Sequence, residues 1–175
     1  MNNITIIYIT ANRLTDTFAK NIRKELVKAA GDIPIISVSK KPLKFGVKNL
    51  VFPGKASIYN EYKETLAGVK EAKTKYVAIC EDDSLYTPNH FEHIPAPGSF
   101  DFNIGCWGIY TWIRPAIYNL KYRRNHNELI CERDLYISAM EERFKKYPDE
   151  NNYPNRYFGE PGRYENPLGV SQHAT

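Results

Sequence analysis

Three short apolar runs punctuate the first half of this chain, and their spacing is what most limits the fold it can reach. "ITIIYIT" at residues 4–10, "IPIISVS" at 33–39 and a third run at 75–80 are rich in β-branched and aromatic side chains, which suit buried strands. Between the first two, "LTDTFAKNIRKELVKAAG" repeats Phe18, Ile22 and Leu26 at helical spacing, with Thr15 placed to cap its start and Gly31 to end it. A Pro-, Gly- and Lys-rich connector, "KKPLKFGVKNLVFPGK", leads to a second helix over about 56–73 that turns Tyr62, Leu66 and Val69 inward. Buried-looking strands alternating with helices predict a doubly wound, mostly parallel α/β sheet flanked by helices. In such sheets ligands lie at the carboxyl ends of the strands. Thr10-Ala11-Asn12-Arg13 and Glu81-Asp82-Asp83 stand at that edge.

The second half is less regular. "PAPGSFDFN" reads as a loop, "NIGCWGIYTWI" as an aromatic strand-like run and "LKYRRNHNE" as a basic connector. Residues 129–147 read as a helix with Tyr136, Met140 and Phe144 on one stripe, and the Pro-, Gly-, Asn- and Tyr-rich tail as irregular. At 175 residues the chain is predicted to be a single domain with its own core. Cys80, Cys106 and Cys131 form no CxxC pair, so buried thiols in a reducing compartment are expected rather than a disulfide framework. With no basic leader and no run of membrane-spanning length, the sequence reads as cytoplasmic, in a bacterial or virus-infected cell, with no membrane partner. The net charge of +4 suits anionic ligands without specifying one.

The third strand runs straight into three acids. Carboxylates packed this closely repel one another unless solvent or a cation relieves them. Glu81 and Asp83 are spaced to share a hard divalent ion, Mg²⁺ or Mn²⁺, which takes few protein ligands and fills its shell with phosphate oxygens and water. A solvated strand-to-loop turn is the plainer account of the same triplet.

The ordered set of pieces resembles the GT-A-type glycosyltransferases, family-2-like enzymes that use nucleotide sugars and carry a DxD motif. "IYITANR" is similar to their first strand and nucleotide-contacting turn, and "GKASIYNEYKETLAGVKEAKTKYVAICEDD" to their helix, strand and acidic motif. The resemblance covers residues 4 to about 90 and the remainder loosely. It implies a nucleotide- and metal-binding half over about 1–90 and a donor-sugar and acceptor half over about 91–175. Two departures stand out: Ser37 to Lys41 offers no Asp after the second strand, and the first acid is Glu81.

By that resemblance the metal ligands are Glu81, Asp83 and a late histidine, His173. Thr10, Ala11, Asn12, Arg13, Lys55, Asn60 and Asp82 face the nucleotide, and Gly105 and Trp107 line the donor sugar. "ICERDLYISAM" resembles the acidic motif opening a C-terminal helix, which makes Glu132, with Asp134, the catalytic base; acids in a helix's first turn also simply favour its dipole. Lys121, Arg123, Arg124 and His126 lie beside Tyr118 and Tyr122, and basic residues interleaved with aromatics suit a DNA, RNA or other polymeric acceptor. The implied activity is transfer of a sugar from a UDP- or GDP-sugar to an acceptor hydroxyl, in its sharpest form a phage-type enzyme acting on a hydroxymethylated DNA base. A nucleotidyltransferase on a related sheet and a non-catalytic nucleotide- or nucleic-acid-binding module are the alternatives. "GKAS" is not a P-loop, and no GxSxG, HExxH or GxGxxG occurs.

Overall fold

The apolar runs pair as their patterning requires. In the computed structural model, which describes residues 3–154, 157 and 159–175, the strands β1 (Ile4–Thr10), β2 (Ile35–Ser39), β3 (Lys48–Val51) and β4 (Tyr76–Glu81) are parallel neighbours. Helix α1 (Asp16–Ala30) joins β1 to β2, and α2 (Ile58–Glu71) joins β3 to β4. Beyond β4 come β5 (Phe100–Phe102), β6 (Cys106–Tyr110), β7 (Ile117–Lys121), β8 (Leu129–Glu132) and α3 (Arg133–Lys146). A one-turn helix, α4 (Glu165–Leu168), interrupts the tail. The main sheet has the order β3-β2-β1-β4-β8-β5, and β6 and β7 form a separate two-stranded ribbon. The chain is therefore an α/β domain with a mostly parallel, mixed sheet: β8 runs antiparallel to both β4 and β5.

Side-chain alternation divides β1 between two cores. Ile4, Ile6 and Tyr8 pack with Leu26 and Ala30 of α1, while Ile7 and Ile9 pack with Leu66 and Val69 of α2 and Met140 of α3. Gly68 of α2 lies so close to the sheet that a Cβ there would stand 2.7 Å from Val38 and 2.9 Å from Ile7. That approach seats the helix directly on β1 and β2. Among the described residues, no helix is long and apolar enough to cross a membrane.

Five expectations change. The loop expected over 95–103 contains β5, which pairs with β8 at the sheet edge. The connector after β2 contains a strand, β3, whose half-exposed Lys48-Asn49-Leu50-Val51 occupies the sheet edge. Residues 129–132 are a strand rather than the start of a helix, because Leu129, Ile130 and Cys131 fill the slot between β4 and β5. Phe18 is 47% exposed, since the sheet covers only the Ile22, Leu26 and Ala30 stretch of α1. The tail is partly ordered: Phe100 donates its N–H to the carbonyl of Ala174 at 2.8 Å. Residues 155, 156 and 158 lie outside the described residues.

After β4 a short 3-10 helix, Pro88–Glu92, drives Phe91 and His90 into the α1-side core. His90 Nε2 is buried with no hydrogen-bond partner among the described residues. Burial, reinforced by the nearby His93, holds the imidazole pKa down at about 4. Above pH 6.5 the ring is neutral in both folded and unfolded chains; below it the unfolded chain takes the proton first, so stability falls with pH down to about 4. Between pH 7.5 and pH 5 this single group is expected to remove about 2 kcal/mol. In paired urea titrations His90→Leu should lose less stability over that interval than the native chain; equal losses would show that His90 is not the cause.

Candidate functional site

The direction of the strand order reverses between β1 and β4, the crevice where ligands of open α/β sheets bind. At its mouth the carboxyl ends of the two strands are tied together. Ile9 pairs with Glu81, and one residue further the Thr10 hydroxyl donates to the Asp82 carboxylate. The same hydroxyl oxygen accepts the Asn12 N–H at 2.9 Å. Asn12 itself sits at φ 53, a left-handed conformation that asparagine tolerates better than most residues. This turn aims its Oδ1 at the N–H groups of Lys40 and Lys41, both at 2.9 Å. Three strand ends are thus locked by two side chains, and Asp82 is held against Thr10. Burial raises the Asp82 pKa, and the Thr10 hydrogen bond pulls it back.

On the α2 side of the crevice Glu81 faces a second group. Glu61 of α2, Glu81 at the end of β4 and His126 in a 3-10 helix (His126–Glu128) each bring one donor atom within 4.8 Å of the others. His126 is 3% exposed and fixed from several directions. Tyr62 lies against its ring with centroids 4.4 Å apart, Nε2 is 2.9 Å from the Tyr136 hydroxyl, and Nδ1 is 3.4 Å from Glu61 Oε1. Its backbone N–H donates to Glu160 Oε1 at 3.1 Å. Burial pushes the Glu81 pKa up to about 8, with further contributions from Glu61, Asp83, Asp82 and Glu160.

Of the residues expected to act, Thr10, Asn12, Asp82 and Glu81 converge here. Ala11 and the exposed Arg13 follow in the same turn. Lys55 and Asn60 lie at the start of α2, where the Lys55 carbonyl accepts Asn60 Nδ2 at 3.1 Å and Lys40 Nζ at 3.3 Å. Lys40 also pairs with the buried Glu64. Asp83 is exposed, takes a hydrogen bond from Ser84 at 3.1 Å and stands outside the Glu61–Glu81–His126 group.

Three expected residues lie at the other end of the sheet. Glu132 is opposite Tyr76, five residues before Glu81 on β4, roughly 16 Å away along the strand. It pairs with Lys75 at 3.3 Å and accepts the Gly98 N–H at 3.2 Å. Asp134 is exposed and paired with Arg133. The reason is β8's antiparallel course, which carries its carboxyl end to the amino end of β4. His173 packs edge-on against Phe100 at 5.3 Å; Phe100 pairs with Cys131, itself level with Val77. Neither the two acids nor this histidine reaches Glu81.

Gly105 immediately precedes the β6–β7 ribbon and Trp107 lies in it, and the ribbon forms no strand pairing with the main sheet. Trp107 and Tyr118 are 55% and 70% exposed and meet edge-on at 5.8 Å. Lys121 lies over Tyr110 at 5.8 Å, and Arg123 and Arg124 are exposed in the loop that leads from β7 to His126. Sequence reasoning missed Glu61 and placed His126 only in a basic run. No local pattern marks either one, because they meet across 65 residues of chain.

No protein-family model matches this sequence, and no curated protein matches it significantly.

Proposed function

We propose that this chain is a divalent-cation-dependent glycosyltransferase of GT-A type, taking a UDP- or GDP-sugar as donor. The observation carrying this reading is the pairing of two features at one switch point: the Thr10–Asn12–Asp82 knot and the Glu81 carboxylate beside it. The knot offers a rigid polar floor of the kind that orients a nucleoside. Arg13 and Lys55 stand exposed near its rim as partners for phosphate charge. Glu81 would hold a Mn²⁺ or Mg²⁺ ion; bound there, the ion supplies positive charge against the diphosphate as it departs from the sugar.

The ribbon supports an acceptor larger than a free sugar. Its exposed Trp107, Tyr118 and Tyr122 sit beside Lys121, Arg123 and Arg124, a combination that stacks bases and neutralises phosphates, as a DNA acceptor bearing a hydroxyl requires. The acceptor's proton then needs a base other than Glu132, and Glu128 is the carboxylate on the site side of β8. Burial raises its proton affinity, and it lies two residues from His126.

Thermal melts with a panel of nucleoside diphosphates and nucleotide sugars, with and without MnCl₂, test the reading. One diphosphate should stabilise the fold by about 2–3 kcal/mol at a hundredfold excess over its Kd, and only with the metal present. Slow hydrolysis of the matching nucleotide sugar then names the donor. Stabilisation indifferent to metal would reduce the chain to a binding module, and product from a nucleoside triphosphate plus a sugar phosphate would make it a nucleotidyltransferase.

A further inference from the structure

We infer that Glu61, Glu81 and His126 form a single transition-metal site, one that takes Mn²⁺, Co²⁺ or Zn²⁺ in preference to Mg²⁺, and that Asp83 is not among its ligands. The inference deepens the proposed function by naming the ligands, yet it stands on the donor geometry and can hold if the transfer reaction does not.

The first argument is distance. His126 Nδ1 and Glu61 Oε1 are 3.4 Å apart, long for a hydrogen bond between an imidazole and a carboxylate. Two ligands of one ion, each about 2.1 Å from it, stand roughly 3.0–3.4 Å apart in octahedral or tetrahedral shells. All three donors lie within 4.8 Å of one another, close enough that small side-chain rotations bring them into one coordination sphere.

The second argument is charge. Among the described residues, no Lys or Arg pairs with Glu61 or Glu81; the only ionic neighbour of Glu61 is His126 itself. Glu160 adds a third carboxylate close by, on the His126 N–H, with its own charge answered by Arg163 at 3.2 Å. Two carboxylates converging on a buried imidazole, with no fixed cation, make a set that a divalent ion completes.

The third argument is the surroundings of the histidine. Ligation through Nδ1 requires the proton on Nε2, and Nε2 lies 2.9 Å from the Tyr136 hydroxyl, which can accept it, while Nδ1 faces Glu61 Oε1. A ligating histidine almost always has its second nitrogen held in this way. Tyr136 is fully buried and Tyr62 covers the ring face, so the imidazole is placed before any ion arrives. One imidazole and two carboxylates suit Mn²⁺, Co²⁺ or Zn²⁺, whereas Mg²⁺ favours oxygen and water. The ligands come from α2, β4 and the segment leaving the ribbon, so the ion would join all three.

Calorimetric titration of the whole chain with MnCl₂, ZnCl₂ and MgCl₂, without any nucleotide, tests the site. Mn²⁺ should bind one to one and raise the melting temperature, with Mg²⁺ at least about tenfold weaker. Glu61→Gln and Glu81→Gln should each weaken Mn²⁺ by about 30-fold or more, Tyr136→Phe by about tenfold, and Asp83→Asn by less than about threefold. Glu61→Gln is the decisive variant, because its side chain is 39% exposed and nearly isosteric, so the fold survives it. Undiminished Mn²⁺ binding in Glu61→Gln, or its loss in Asp83→Asn, overturns the assignment. Metal binding without any response to nucleotides would leave the site standing and sink the transferase. A metal-dependent nucleotide response that ignores Glu61 would do the reverse.

Discussion

Arg143→Met is expected to destabilise the protein by about 3–5 kcal/mol and to lower its urea midpoint accordingly. Arg143 is wholly buried on α3, yet no acidic side chain pairs with it among the described residues. Its guanidinium instead donates to the carbonyls of Gly159 at 2.6 Å and Glu160 at 3.3 Å. Burial lowers its pKa, opposed by the electron-rich Tyr153 and Tyr62 nearby. Methionine fills a similar space but gives up two hydrogen bonds from a charged donor, each worth about 1.5–3 kcal/mol. The buried Gly159 carbonyl is left without that donor, while the Glu160 carbonyl keeps the Arg163 N–H at 3.3 Å. The damage also travels to the crevice, because Glu160 carries the acceptor of the His126 N–H. Arg143→Lys should recover part of the stability, since an ammonium reaches one carbonyl but not the fork of two. A fall below about 1 kcal/mol for Arg143→Met would mean that the tail is anchored elsewhere.

Thr10→Val is expected to cost about 3 kcal/mol and to weaken binding of the preferred nucleoside diphosphate by about tenfold or more. The exchange preserves shape and β-branching, so β1 keeps its place in the sheet. What disappears is one hydroxyl that both donates to Asp82 and accepts from Asn12. Asp82 then loses the contact that moderates its buried charge, and Asn12 loses the bond that helps hold its left-handed turn over Lys40 and Lys41. Thr10→Ser should restore most of both quantities, and urea unfolding with nucleotide titration reads them separately. If valine is neutral for stability, the knot is not what joins the strand ends.

Strands β1, β2 and β4 could be read from the sequence because they are buried on both faces, which leaves a continuous apolar run. Strand β3 could not, since an edge strand needs little apolar surface and Lys48 and Asn49 look like loop. Strand β8 was hidden by its brevity: Leu129-Ile130-Cys131-Glu132 flows without a turn into α3 and fits the same helical stripe. That one misreading also misplaced Glu132, because strand direction is a property of pairing and not of any residue. Glu81 was legible as an acid ending an apolar strand. Glu61 and His126 were not, since a helix face and a post-ribbon turn meet only once the sheet has been assembled.

The ribbon leaves and rejoins the sheet at adjacent points. Phe102 of β5 pairs with Leu129 of β8, and Asn103 donates to the Glu128 carbonyl at 3.1 Å. Residues 104–124, ahead of His126, are an excursion whose two feet are already fastened. Lengthening such an excursion costs only a logarithmic penalty in chain entropy, so the aromatic arm can be shortened, extended or swapped without re-registering a single strand. In this architecture the arm can be exchanged like a tool head while the handle stays the same.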